Sequence, residues 1–150
     1  MVSDVFRVAL RQDASDLCDI RRRSILELSP PVSPRAEAER WASQLALSGM
    51  EQKLRDMEIW IAERDHRVAG WGAIRGDYLE GLYVAPEYAG RGVGSALLGR
   101  LEALMRGQGI RAVRAEASSN AKAFYFRRGY TAAGPQKPVH AWPIIKQLLT

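Results

Sequence analysis

The sequence predicts an α/β (α+β) fold in which one sheet is flanked by helices, and three observations predict it. Segments of period two and period 3.6 alternate in the order β α α β β β α β α β β. No segment repeats and none is of low complexity, so the alternation belongs to one unit. The run "LYVAPEYAGRGVGS", residues 82 to 95, passes from a strand pattern through three glycines into a helical one, which is the punctuation of a tight strand-to-helix turn.

Taken in order, residues 5 to 10 alternate weakly and read as a first strand. Asp13 is placed to cap a helix running to about Leu28, with Leu17, Ile20, Ser24 and Leu28 near one face. Ser29-Pro30-Pro31 stops that helix, and Pro34 suits the first turn of a second over residues 34 to 47, whose Trp41 and Leu45 supply an apolar stripe. The proline-rich join reads as a loop within one domain. From Glu58 the period changes: Ile59 to Ala62 form a short apolar strand, Asp65-His66 a turn, and residues 68 to 74 the hairpin partner. A strand follows over residues 78 to 84, then a helix from 92 to 106 with Val93, Ala96, Leu97, Leu101, Leu104 and Met105 facing the core. A strand at 112 to 115, a helix at 121 to 128 and two terminal strands, near Tyr130 and over 139 to 148, complete the pattern.

Composition narrows the function. At 150 residues, with 47% hydrophobic and 26% charged side chains, the chain matches one ordinary globular domain, and no apolar run reaches the roughly 18 residues that span a membrane. Asp4 stands where a signal peptide would be basic, and a long apolar segment is missing there, so a cytoplasmic location is expected. Cys18 is alone, which excludes an internal disulfide and a thiolate metal cluster; inert burial is expected of it. A net charge of +5 and a pI near 9.7 invite a nucleic-acid partner, but the arginines are scattered. The one run, Arg21-Arg22-Arg23, reads as a solvated helix face. No nucleic-acid partner is expected, and a phosphate-rich small ligand would use the same positive balance.

The glycine turn has its own physical reading. A helix start leaves backbone N–H groups unpaired, and glycines at Gly90, Gly92 and Gly94 let an anion approach them. A close helix-to-sheet packing turn would use the same glycines. The loop lacks the lysine of a Walker loop, and its G-x-G-x-G spacing is not the G-x-G-x-x-G of a dinucleotide fingerprint.

Leu82-Tyr83-Val84-x-Pro86-Glu87-Tyr88, followed by Gly90-Arg91-Gly92-Val93-Gly94-Ser95, resembles the acetyl-CoA motif of the GNAT superfamily of N-acetyltransferases. A second segment, Ser118-x-Asn120-Ala121-x-Ala123-Phe124-Tyr125 leading to Gly129-Tyr130, resembles the next motif of that superfamily. The Ser-Pro segment before a tryptophan-containing helix, with Ala115-Glu116-Ala117-Ser118, is similar to its small bacterial members of the YafP type. The resemblance implies a mixed, mostly antiparallel sheet of six to seven strands with about four helices, splayed between the fourth and fifth strands. It implies an acyltransferase that moves acetyl from acetyl-CoA, a co-substrate, to the primary amine of a small molecule in a ternary complex. No metal is implied. Protein or peptide amines, and a non-catalytic acetyl-CoA-binding module, remain alternatives. The chain departs from the family's loop at Ala89, where a longer polar side chain is usual.

Residue by residue, the resemblance implies that Gly90, Arg91, Gly92, Val93, Gly94 and Ser95 hold the pyrophosphate. Leu82, Tyr83 and Val84 would offer backbone to the pantetheine arm and polarise the thioester carbonyl, and Asn120 would contact the cofactor. Tyr125 would be the general acid for the leaving thiolate, whose pKa as a free thiol is about 8.5. An attacking ammonium must first lose a proton. Glu80 is the first choice as base, on the argument that strand alternation places it on the face of Leu82; Asp77, Glu116, His140 or a water chain are the alternatives. The acceptor pocket is expected from residues 29 to 41 and 139 to 142, and the protein as a monomer or homodimer. Trp41, Trp60, Trp71 and Trp142 are read as core.

Overall fold

The computed structural model describes residues 4–28, 46–118, 121–137 and 141–148. Strand β1 (Val5–Val8) leads through a 3-10 turn (Arg11–Asp13) into helix α1 (Ala14–Leu28). Helix α2 (Leu47–Asp56) precedes the hairpin of β2 (Glu58–Arg64) and β3 (Arg67–Arg75), and β4 (Tyr78–Val84) follows. A second 3-10 turn (Pro86–Tyr88) opens onto α3 (Val93–Gly107), after which come β5 (Ala112–Ser118), the short α4 (Lys122–Phe126), β6 (Thr131–Ala132) and β7 (Ala141–Gln147). The strands form one seven-stranded sheet in the order β1-β2-β3-β4-β5-β7-β6. Every pairing is antiparallel except that of β4 with β5, so the mixed, mostly antiparallel sheet is the one expected.

Local chemistry explains the joins. The β2–β3 turn holds Asp65 and His66 at φ of 55° and 63°, the left-handed pair whose twist matches a hairpin and which aspartate tolerates. Helix α1 buries Ala14, Leu17 and Ile20 and accepts, at the Leu17 carbonyl, the indole N–H of Trp71 at 3.0 Å. That contact puts α1 on the β3 face that carries Trp71. Helix α3 covers the opposite face, where Gly72 faces Leu101 and Gly70 faces Val93. Burial of Leu97, Leu98, Leu101 and Met105 stabilises this layer by about 1.5–3 kcal/mol per side chain.

Three expectations change. Ala96 is exposed, while Leu98 and Glu102 are buried; the carboxylate of Glu102 accepts from the Tyr130 hydroxyl at 2.8 Å and the Lys146 ammonium at 2.9 Å, which removes the penalty of an unpaired buried charge. Asp13 does not cap α1: it lies in the preceding turn, accepts the Leu10 N–H at 2.7 Å and takes both Arg7 guanidinium N–H groups at 2.9 Å. The helix expected to end at Leu47 is followed by no assigned element before Glu58, yet α2 occupies that stretch; the full burial of Met50 and the packing of Leu54 against the core hold it in place. Residues 29–45, on which most of the expected second helix and Trp41 fall, lie outside the described residues.

The junction of β4 and β5 positions the site. The two strands pair at only Tyr78 with Arg114 and Leu79 with Ala115, and then part. Immediately beyond, the register of β4 on β3 slips: Leu79 faces Ile74 but Gly81 faces Ala73, leaving Glu80 as the extra residue of a β-bulge. The expected splay is therefore present, with a bulge at its root.

Candidate active site

Where β4 and β5 part, a cleft of about 360 Å³ opens. Glu80, Leu82, Tyr83 and Val84 of β4, Gly94 of α3 and Tyr125 of α4 all line it, so elements remote in sequence bring six of the expected residues together. Gly90, Arg91, Gly92 and Ser95 stand beside it at the start of α3, and the Val93 side chain is buried in the core. Asn120 and His140 lie outside the described residues.

The glycines of the turn divide into two kinds. Gly90 and Gly92 have φ of 73° and 84°, with open space where a Cβ would stand, so left-handed backbone and not packing requires them. Gly94 is ordinary in φ, and a Cβ there would meet Val84 Cγ2 at 3.3 Å and the Phe124 ring at 3.5 Å. The packing-turn reading thus holds for Gly94, and the open helix start for the other two. The turn is fastened from behind: Arg64 donates to the Arg91 carbonyl at 3.0 Å while paired with Asp4 at 2.7 Å. Tyr88 donates to the Arg64 carbonyl at 3.3 Å, and Arg23 holds Glu87 at 2.7 Å. At the mouth of the helix Arg128 donates to Ser95 Oγ at 3.1 Å and stacks 3.8 Å from the Phe124 ring centroid. Arg128 therefore brings positive charge to a turn where Ala89 offers no contact.

Tyr125 points inward and is 7% exposed, its ring edge-on to Phe124 and Tyr130 at 5.2 and 5.3 Å; Phe126 faces outward. Burial, with the nearby Tyr83, pushes the Tyr125 hydroxyl well above the usual phenol range, and among the described residues that hydroxyl has no hydrogen-bond partner. It is a protonated donor facing a cleft.

Glu80 accepts from the Arg75 guanidinium at 2.8 Å. The bulge interrupts the alternation expected to put Glu80 on the face of Leu82: Leu79 pairs with Ile74 and Leu82 with Gly72, so Leu79 and Leu82 share a face and simple alternation does not carry across Glu80. Glu80 nonetheless stands on the cleft wall. Glu116 also lines the cleft and is held by Lys137 at 2.7 Å. Tyr78 is pushed up to about 12, chiefly by burial and then by the charge of Glu116. Asp77 instead pairs outside the cleft with Arg114 at 3.1 Å.

Several residues were missed in the sequence. Arg64 and Arg128 serve the glycine turn through partners 27 and 33 residues away. Arg21, read as part of a solvated face, and Ser24, read as part of an apolar one, line the cleft from α1; a serine interrupting an apolar stripe was the available signal. Cys18 is half-buried, not buried as expected; its thiol approaches the Ala46 carbonyl at 3.8 Å, and desolvation pushes its pKa up. Trp71 is core as expected, whereas Trp142 is half-buried with Lys122 Nζ 3.7 Å from its ring centroid.

The model of the acetyltransferase (GNAT) domain family matches residues 29–145. An N-acetyltransferase of Escherichia coli, YafP, itself uncharacterized, is 32% identical over 126 residues, 83% of this chain and 79% of that protein. A GCN5-related N-acetyltransferase from Rhodopseudomonas palustris is 29% identical and superimposes with a TM-score of 0.90 over 99% of this chain and 98% of its own. The PaiA N-acetyltransferase of Thermoplasma acidophilum, solved in complex with coenzyme A, shares the fold at 20% identity, with a TM-score of 0.83 over 97% of this chain and 99% of its own. With a parted β4–β5 pair, a glycine-opened helix start beside the cleft and these relatives, the chain belongs to the GNAT family of acetyltransferases.

Proposed function

We propose that the chain transfers an acetyl group from acetyl-CoA directly to the amine of a small molecule held in the same cleft. The parting of β4 from β5 carries the reading, because among the described residues it leaves one edge of residues 81–84 without a strand partner. Such an edge has the hydrogen-bonding pattern that an extended amide chain can occupy. The co-substrate supplies an activated thioester carbonyl and a thiolate leaving group.

The chain's own residues divide the work. The open N–H groups at residues 92–95, with Arg91 and Arg128, hold the pyrophosphate; the space left by Gly90 and Gly92 fits that group. Backbone groups of Leu82, Tyr83 and Val84 bind the pantetheine amides, and an N–H there polarises the carbonyl. Asn120 adds a contact on the cofactor side. Tyr125 donates a hydrogen bond to the sulfur as charge develops on it. Because its hydroxyl is held far above the pKa of a thiol, about 8.5, this bond stabilises the thiolate without complete proton transfer. Glu80 accepts the first ammonium proton directly or through water, with Arg75 keeping the carboxylate in place, and the second amine proton passes to the departing thiolate as the amide forms and the C–S bond breaks.

Titration calorimetry with acetyl-CoA and a thiol-release assay over a panel of primary amines test the reading. Binding and turnover are expected. Absence of acetyl-CoA binding would overturn it, and binding without turnover of any amine would favour a non-catalytic module.

A further inference from the structure

The α1 wall of the cleft carries Arg21, Ser24 and Ile25, whose i, i+3, i+4 spacing places them on one helix face. The neighbours of Arg21 are engaged: Arg22 approaches Asp19 at 3.6 Å, and Arg23 binds Asp19 and Glu87 at 2.8 and 2.7 Å. Arg21 is different. Its guanidinium lies 5.9 Å from the Tyr83 ring centroid, at the limit of a cation–π contact, and among the described residues it has no carboxylate partner. The two acidic side chains of the cleft are already neutralised from outside it, Glu80 by Arg75 at 2.8 Å and Glu116 by Lys137 at 2.7 Å. Among the described residues the uncompensated charge of the cleft is therefore the cation on α1.

Acetyl-CoA has no use for that cation. Its charges reside on the nucleotide phosphates, of which the proposed function places the pyrophosphate at the glycine turn, and the acetyl-pantetheine arm that enters the cleft is neutral. The charge is left for the acceptor. A guanidinium fork matches a carboxylate in a bidentate pair, and the Ser24 hydroxyl, one turn along, adds a donor. A doubly charged phosphate is less suited, since the single guanidinium balances only one of its two charges.

We infer that the acceptor is a small amino carboxylate, an amino acid or a close analogue, with Arg21 binding its carboxylate and its amine directed at β4. Arg21 is then the residue that sets acceptor specificity, and the inference rests on the proposed donor site. The test compares amino carboxylates with the amines that lack only the carboxylate, and with aminoalkyl phosphates, in the thiol-release assay. The wild type is expected to prefer the carboxylate-bearing amine by about tenfold or more in kcat/KM, the worth of one charge-assisted pair, and mainly through KM. Arg21→Gln should bring the ratio close to one, and Arg21→Lys should restore part of it. Equal use of both amines by the wild type, a ratio that Arg21→Gln leaves unchanged, or a preference for the phosphate would overturn the inference. Calorimetry of the same compounds with the wild type separates the two readings: failure to bind acetyl-CoA alongside retained preference for the amino carboxylate would overturn the donor site and not this one.

Discussion

The ring of Tyr130 meets that of Tyr125 edge to face at 5.3 Å, and the Tyr130 hydroxyl donates at 2.8 Å to the buried Glu102 of α3. The proposed thiolate donor is thus braced, through one neighbour, by the helix that the glycine turn begins. Tyr130→Phe keeps the ring contact and removes the bond to a charged acceptor, so it should cost about 1.5–3 kcal/mol in stability. Urea unfolding measures this; a loss near zero would mean that the Glu102–Lys146 pair alone holds the junction.

Tyr125→Phe should lower kcat about 100-fold, the lower range for a positioned proton-bearing group, while acetyl-CoA affinity stays within a few-fold. Thiol-release kinetics and calorimetry report the two quantities separately. An unchanged kcat would remove Tyr125 from the chemistry.

Gly92→Ala places a Cβ in open space but on left-handed backbone, at a cost of about 1 kcal/mol. Weaker acetyl-CoA binding with the fold retained is expected, and Gly92→Glu, which also brings negative charge to the helix start, should abolish binding. Gly94→Glu should fail for a different reason, a clash with Val84 and Phe124, and should lower the melting temperature as well.

Glu80→Gln should reduce kcat/KM most at low pH, where little of the amine is free, and progressively less as pH approaches the amine pKa of about 10. A pH profile parallel to that of the wild type would assign the proton to water or to Glu116.

The Arg7 guanidinium, against desolvation, holds the Asp13 carboxyl below the usual carboxylate range. The folded pKa being the lower one, this stabilisation is complete above the unfolded value of about 3.9 and disappears as pH falls through the folded value. Asp13→Asn should therefore lower stability at pH 7 and flatten its decline below about pH 4. Thermal melts across that range check it; an unaltered acid limb would place the acid sensitivity elsewhere.

The order of elements was legible because periodicity and turn chemistry are local: Asp65-His66 and the glycine turn announce themselves. Long-range relationships were not. The bulge at Glu80 depends on the register of β4 against β3, which side-chain alternation within β4 does not encode, and the scattered arginines gave no sign of which would anchor the turn and which would enter the cleft. Arg64, Arg128 and Arg21 took those roles through partners brought close only by folding. Likewise α2 forms despite Gly49, because burial of Met50 outweighs the poor helix propensity of one glycine.

The single strip of pairing at Tyr78 and Leu79 makes the sheet two leaves, one of four strands and one of three, joined along a short seam. Opening and closing across such a seam is resisted by few backbone bonds. An extended amide chain lying between the leaves would take the place of missing rungs, so the stiffness of the molecule and the occupancy of its cleft become a single variable. A molecule designed to fill the seam would then act as a splint, and its grip could be followed as rigidity alone, with no turnover required.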